Sequence, residues 1–234
     1  MINERTFLRL PIPFKNNIFI IPPSVNDVVK EDNFGIYRKL LTVTQEEIED
    51  EYVKQNIEGI IPTPLQYILK HSYEQPAFRL LVENAFFFFL EKGVKLVPLE
   101  EKILVRVNEK EWEEISAEEY FDFQNIIRES LGEKPVERPD PNEHPKIKRM
   151  KAKARYRDRI KAQKGDGLSL SSSLVLICCM GIGLNPLNIG EISYASINAL
   201  IGVYQDKEKY HLDIDALLAG GKNIKPKYWI KNLD

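Results

Sequence analysis

Pro76-Ala77-Phe78-Arg79-Leu80-Leu81-Val82-Glu83-Asn84-Ala85-Phe86-Phe87-Phe88-Phe89-Leu90 is the stretch on which the fold turns. Within it Phe78, Leu81, Val82, Ala85, Phe86, Phe89 and Leu90 recur every three or four residues, the period at which helical side chains return to one face. The pattern predicts a helix that forms the central core element and ends at Gly93, where a left-handed cap costs least. Its four successive phenylalanines, Phe86, Phe87, Phe88 and Phe89, point around the whole circumference and cannot all face one neighbour. Either the helix is buried on several sides, which is the favoured reading, or part of it is an apolar docking surface.

Working outward, Thr63-Pro64-Leu65-Gln66 supplies a capping hydroxyl and a proline at the first helical position, just before Leu65, Ile68 and Leu69 at helical spacing. Thr44-Gln45-Glu46-Glu47 is a capping box that opens an acidic helix through about Lys54, and Ser24-Val25-Asn26-Asp27 can start another. Before these, Leu8 to Phe14 and Ile18 to Pro23 mix short apolar pieces with prolines, which suits edge strands better than helix. Downstream, Val94 to Pro98, Ile103 to Val107 and Trp112 to Ile115 are short, β-branched or aromatic, and separated by polar turns, as in a small meander. Ser116-Ala117-Glu118-Glu119 then caps a helix carrying Tyr120, Phe123, Ile126, Ile127 and Leu131, closed by Gly132.

The expected fold is therefore α+β, mainly α. Residues 1–132 form a helical N-terminal domain with a small antiparallel β element. Residues 133–145, with four prolines and almost no apolar side chain, read as a linker. Residues 146–234 read as a basic helix and an all-helical C-terminal domain with breaks at Gly165, Gly167, Gly181, Gly183 and Pro186. There Asn185 and Pro186 are expected to open a helix, and Asp213 to Gly221 to form a short one ended by glycine.

Composition narrows the function. The chain of 234 residues is 43% hydrophobic, enough for a core without staples. Its two cysteines, Cys178 and Cys179, are adjacent in an apolar run, so they exclude a disulfide framework and fit packing in a reducing cytoplasm. The longest apolar runs, Ala85 to Leu90 and Leu174 to Met180, are far short of the roughly 20 residues that span a bilayer, and no secretory pattern opens the chain. A soluble protein with no membrane partner is expected.

Few residues suggest chemistry. His71, His144 and His211 are far apart and share no metal-ligand spacing, so neither a metal site nor a cofactor is expected. Gly181-Ile182-Gly183-Leu184-Asn185-Pro186 lacks the third glycine of a dinucleotide loop and no strand precedes it. The acids Glu46, Glu47, Glu49, Asp50 and Glu51 fit a solvated helix face rather than a catalytic pair, and no nucleophile with its base stands out. No enzyme is expected.

Binding is better represented. Residues 146–164 hold ten basic side chains against the single acid Asp158, so this segment carries +9 and the rest of the chain −11 of a net −2. Lys148, Arg149, Lys151, Lys153, Arg155, Arg157, Arg159 and Lys161 form a basic patch that could neutralise phosphates by counterion release, or dock on an acidic protein surface. Only Tyr156 interrupts the run as an aromatic, which weighs against single-strand stacking. Near the end of the chain, Tyr228 and Trp229 could anchor a partner or pack back on their own domain.

Several phrases are shared with a known group. Ile21-Pro22-Pro23-Ser24-Val25-Asn26-Asp27-Val28-Val29, Leu40 to Glu51, Ile177-Cys178-Cys179-Met180-Gly181-Ile182-Gly183-Leu184-Asn185-Pro186-Leu187-Asn188-Ile189-Gly190-Glu191 and Leu217-Leu218-Ala219-Gly220-Gly221 together resemble tail assembly chaperones of tailed bacteriophages and prophages of Gram-positive bacteria. The resemblance implies a non-catalytic protein of the host bacterial cytoplasm that binds the tape measure protein, or another tail protein, during tail morphogenesis. It also implies self-association as an option. The alternatives are a nucleic-acid-binding accessory protein acting through residues 146–164 and a structural component of the virion.

Overall fold

The computed structural model describes residues 3–57, 59–138, 150, 169–222 and 224–228. Among them the fold is α+β and mainly α, with two small antiparallel sheets. A short helix α1 (Glu4–Phe7) precedes the hairpin of β1 (Ile12–Pro13) and β2 (Phe19–Ile20), in which Ile12 faces Ile20. Both isoleucines are buried, which fixes the register of so short a pair.

Helices α2 (Val25–Lys30), α3 (Phe34–Thr42), α4 (Gln45–Lys54), α5 (Pro64–Glu74) and α6 (Pro76–Leu90) follow. Their starts lie where side-chain chemistry demands. Ser24, Thr44 and Thr63 each accept the amide three residues on, while Asp27, Glu47 and Gln66 reach back to the capping residue's own amide. Each reciprocal pair satisfies two donors that the helix itself cannot.

A three-stranded meander, β3 (Val94–Val97), β4 (Lys102–Arg106) and β5 (Trp112–Ile115), closes over the helices with β4 in the middle. Leu96 faces Ile103, which faces Ile115, so one row of buried side chains crosses the sheet. Helix α7 (Ala117–Ser130) then returns, started by the expected capping box of Ser116 and Glu119.

Helix α6 lies in the main core against α3 and α5. Val82, Ala85, Phe86, Phe89 and Leu90 are buried; the Phe86 ring stacks on Phe123 of α7 with centroids 5.3 Å apart, and Phe14 meets Phe123 edge-on at 5.4 Å. The Ile21 amide donates to the Phe89 carbonyl at 2.8 Å, joining the N-terminal hairpin to the last turn of the helix. Helix α6 ends earlier than its sequence suggests. The left-handed residue is Glu91 (φ 52°), whose amide donates to the Phe87 carbonyl, and not Gly93. Because β3 begins at Val94, only three residues are available to reverse the chain, and the turn is made at the first of them.

Beyond α7, Glu133 pairs with Arg38 at 2.5 Å and Arg128 at 3.3 Å, Val136 exchanges two backbone hydrogen bonds with the Asn125 side chain, and Arg138 binds Asp122 at 2.6 Å while lying over Phe121. The first six residues of the proline-rich stretch are thus held on α7. Residues 139–145 lie outside the described residues.

The C-terminal part contributes α8 (Leu170–Cys179) and α9 (Ser196–Leu218). Two expectations are corrected here. Asn185 and Pro186 open a turn and a single 3₁₀ turn (Ile189–Glu191), not an α-helix. The chain is drawn out instead into extended pairing with the N-terminal part: the Val25 amide donates to Ile192 at 3.1 Å, the Tyr194 amide to Pro23 at 2.9 Å, and Ser24 bridges Ser193. Asp213 to Leu218 is not a separate helix but the end of the 23-residue α9. Nothing between Gly202 and Gly220 breaks its backbone pattern.

Ile177, Met180, Ile189, Ile197 and Ile201 form a second apolar cluster, and Val25 of α2 belongs to it. Tyr194 packs on both clusters, edge-on to Phe34 at 5.3 Å. A Cβ at Gly190 would run into the Asn26 side chain of α2, and one at Gly132 (φ +72°) would stand 3.0 Å from that of Ala195.

Candidate functional site

The four phenylalanines separate by their position on the helix. Phe86 and Phe89 are wholly buried, Phe88 is half-buried beside Phe34 and Tyr37, and Phe87 reaches solvent, 58% exposed. Neighbouring residues on a helix lie about 100° apart, so Phe87 shares its outward face with Asn84, Leu80 and Pro76 rather than with Phe86. Leu80, also 58% exposed, stands two turns before Phe87. Together they put two large exposed apolar side chains, with the polar Asn84 between them, on an outward face about 16 Å long between Pro76 and Phe87.

That face begins beside a second apolar area. In the loop between α4 and α5 Ile60 is 97% exposed, and on the 3₁₀ turn Pro98–Glu100 Leu99 is 94% exposed. Between them lies a depression of about 350 Å³ whose walls include Tyr52, Pro62, Leu69 and Tyr73. A neighbouring cavity of about 450 Å³ shares Tyr73, Pro98 and Leu99 with it and extends to Pro76 and Arg79 at the start of α6. The two depressions and the α6 face therefore adjoin. Large side chains this exposed, next to one another, are the pattern of a surface that a partner covers.

Side-chain hydrogen bonds hold the frame of this surface. Tyr67 of α5 donates its hydroxyl to Glu51 of α4 at 3.0 Å; burial and that carboxylate push the phenol up to about 12, so it stays a donor at any physiological pH. Gln66 donates to Glu101, closing α5 onto the corner between β3 and β4. His71 stacks edge-on to Tyr67 at 4.4 Å and lies 3.8 Å from Glu74, so it is a packing residue of α5.

The other sequence candidates are dispersed. Tyr228 is exposed but its ring meets Tyr210 of α9 edge-on at 5.5 Å, and Trp229 lies outside the described residues. So do Lys148, Arg149, Lys151, Lys153, Arg155, Arg157, Arg159 and Lys161. Cys178 is half-buried against the second cluster, whereas Cys179 faces solvent, which corrects the reading of both as packing residues. Among the described residues no group of His, Cys, Asp and Glu could hold a metal ion, and no helix is long and apolar enough to cross a membrane.

Ile60, Leu80, Tyr73 and Leu99 were not singled out by sequence. Leu99 had a usable signal: a lone leucine between Pro98 and Glu100-Glu101 cannot continue a buried strand. Comparison with protein-family models, with curated proteins and with solved structures finds no match to this chain.

Proposed function

We propose that this protein is a non-catalytic tail assembly chaperone of a tailed bacteriophage or prophage of Gram-positive bacteria, acting in the host cytoplasm on the tape measure protein. The observation that carries the reading is the exposed pair Leu80 and Phe87 on α6, on a face that starts at Pro76, which itself lines a depression with Tyr73 and Leu99 next to the one lined by Ile60. A tape measure protein is long and helical, and its apolar stripe needs cover until tube subunits surround it. A firm apolar face can cover such a stripe, and the net charge of −11 outside residues 146–164 keeps the complex soluble. The shared phrases around Ser24, Thr44, Gly181 and Gly220 support the same reading.

The charge of residues 146–164 favours a second reading, an accessory protein that binds nucleic acid. Co-expression with the long helical protein encoded nearby, followed by nuclease treatment and pull-down at low and high salt, separates the two. The chaperone reading expects a salt-resistant complex that is lost in the double variant Leu80→Ser, Phe87→Ser. Nucleic acid retained at low salt and released at high salt, with no protein complex, would overturn it. Recovery of the chain from purified virions would make it a structural component instead.

A further inference from the structure

We propose that the free edge of β3 binds an extended segment of another protein as an added strand, with an apolar residue opposite Leu96 and an acidic one opposite Lys95. The proposal goes beyond the chaperone reading and stands without it. It starts from the pairing of the meander. The Arg106 amide donates to the Gly93 carbonyl at 2.9 Å, in the register that sets Val94 against Val105 and Leu96 against Ile103. Opposed residues of an antiparallel ladder alternate between bonded and non-bonded pairs, so Lys95 and Val97 turn their amides and carbonyls toward β4, whereas Val94 and Leu96 turn theirs away. Strand β3 pairs with β4 alone, which makes that outward side a free edge. Leu96 is only 4% exposed, yet neither of its outward backbone groups has a hydrogen bond among the described residues. Covered backbone groups are paired in more than about nine cases in ten, so a donor and an acceptor left open on one residue mark a place for another backbone.

The opposite edge of the sheet is closed by the chain itself. The Val107 amide donates to the Glu111 carbonyl, which puts Glu114 among the outward residues of β5, and the Glu114 carbonyl accepts from Lys15 Nζ. Along β3 there is a groove of about 450 Å³ instead. Lys95 and Val97 line it from the outer face of the sheet and Leu96 from the core face, so the groove follows the edge. Tyr73 and Pro76, where α5 gives way to α6, complete the lining. A groove between a strand edge and a helix corner suits one added strand better than the edge of a second sheet.

The register dictates the chemistry of that strand. A residue opposite Leu96 exchanges both backbone bonds with it, and the residues on either side lay their side chains beside Lys95 and Val97 on the outer face. Lys95 is exposed and has no ion pair among the described residues, while the acid on the rim, Glu100, is engaged by Lys102 at 2.5 Å. A lysine on an edge discourages pairing with another sheet, but favours a strand that brings its own carboxylate. Val97 and the exposed Leu99 make the other outer position apolar.

The test titrates the full chain, labelled with ¹⁵N, with the peptide acetyl-Thr-Ile-Val-Glu-Thr-amide to about 5 mM, a range that reaches weak millimolar binding. Antiparallel to β3, this peptide places its valine opposite Leu96 and its glutamate opposite Lys95. A saturable shift of the Leu96 amide is expected, with slower exchange of its proton with solvent. N-methylation of the peptide's valine removes the donor to the Leu96 carbonyl and should weaken binding by about fivefold to tenfold. A lysine in place of the peptide's glutamate should weaken it by about twofold to fivefold, and Lys95→Glu should reverse that preference. No saturable shift at Leu96, or equal binding of the N-methylated peptide, would overturn the proposal. So would a Leu96 shift that follows the protein's own concentration without peptide, which would assign the edge to a second copy of the chain.

Discussion

Replacing Phe86 and Phe87 one at a time with alanine tests how the phenylalanine run is used, because the two residues are chemically identical and adjacent. Phe86 is wholly buried in the main core and stacked on Phe123 of α7. Truncating it removes the transfer free energy of the ring and leaves a cavity that a close-packed core cannot refill, a loss of about 3–5 kcal/mol. Phe87 keeps more than half its surface in water. Its truncation loses only a partial contact, and alanine regains about 0.5 kcal/mol of helix propensity, so the net change lies within about 1 kcal/mol of zero. Urea unfolding followed by far-ultraviolet circular dichroism reads the difference. At roughly 2 kcal/mol/M, Phe86→Ala should lower the midpoint by about 1.5–2.5 M and Phe87→Ala by less than about 0.5 M. Equal shifts for the two variants would refute the assignment of faces on α6, and with it the outward apolar surface.

Gly132→Ala should destabilise the chain by about 2 kcal/mol or more, since a left-handed alanine costs roughly 1–2 kcal/mol and its Cβ would press on Ala195; Gly93→Ala, with open space around it, should stay within about 0.5 kcal/mol, and thermal melting compares the two. Acid should weaken the fold through Asp27 and Glu119. Burial opposes the charge of both, but hydrogen bonds from Ser24 and the Arg9 guanidinium outweigh it at Asp27, and those from Lys15 and Ser116 at Glu119, so both carboxyls are held below their ordinary values of 3.8 and 4.5. A depressed carboxyl contributes fully above its unfolded value and loses its contribution as pH falls through the folded one. Stability measured from pH 6 downward should therefore decline from about pH 4.5, and Asp27→Asn should flatten part of that decline; an unchanged slope would remove Asp27 from the account.

The elements that were legible in sequence are those whose signal is local. Thr44 with Glu47, Thr63 with Gln66 and Ser116 with Glu119 fix three helix starts because both partners of each hydrogen-bond pair lie within four residues. Val82, Ala85, Phe86 and Phe89 were readable as core because one helical period suffices. What was not legible depends on distant partners. Glu91 turns the chain because β3 starts three residues later; Asn185 opens no helix because residues 192–194 pair with Pro23 and Val25, far away in the chain. The exposed Leu80 was hidden for the opposite reason: an apolar residue in a helical pattern reads as buried until the neighbours on its side are known. Ile60, Tyr73 and Leu99 come together only through the packing of the chain around α5, and no spacing along the chain encodes that meeting.

Helix α2 lies where the two apolar clusters meet. Val25 sits in the C-terminal cluster while Val28, one turn later on the same helix, sits in the main core, and Asn26 between them binds Glu191 at 3.0 Å. Helix α2 is therefore the common wall of the two clusters. Its N-terminus is fixed by the box of Ser24 and Asp27, and Arg9 of the N-terminal segment anchors Asp27 at 2.9 Å. A force applied to α8 or α9 reaches α2 through Ile192 and Tyr194, and passes to Phe34 and then to Phe88 on α6 through rings 5.3 and 5.7 Å apart. Phe88 adjoins Phe87, so the outward face of α6 is backed by both parts of the chain. On the proposed chaperone reading, a face backed in this way suits a helical client whose apolar stripe already matches it better than an unfolded one.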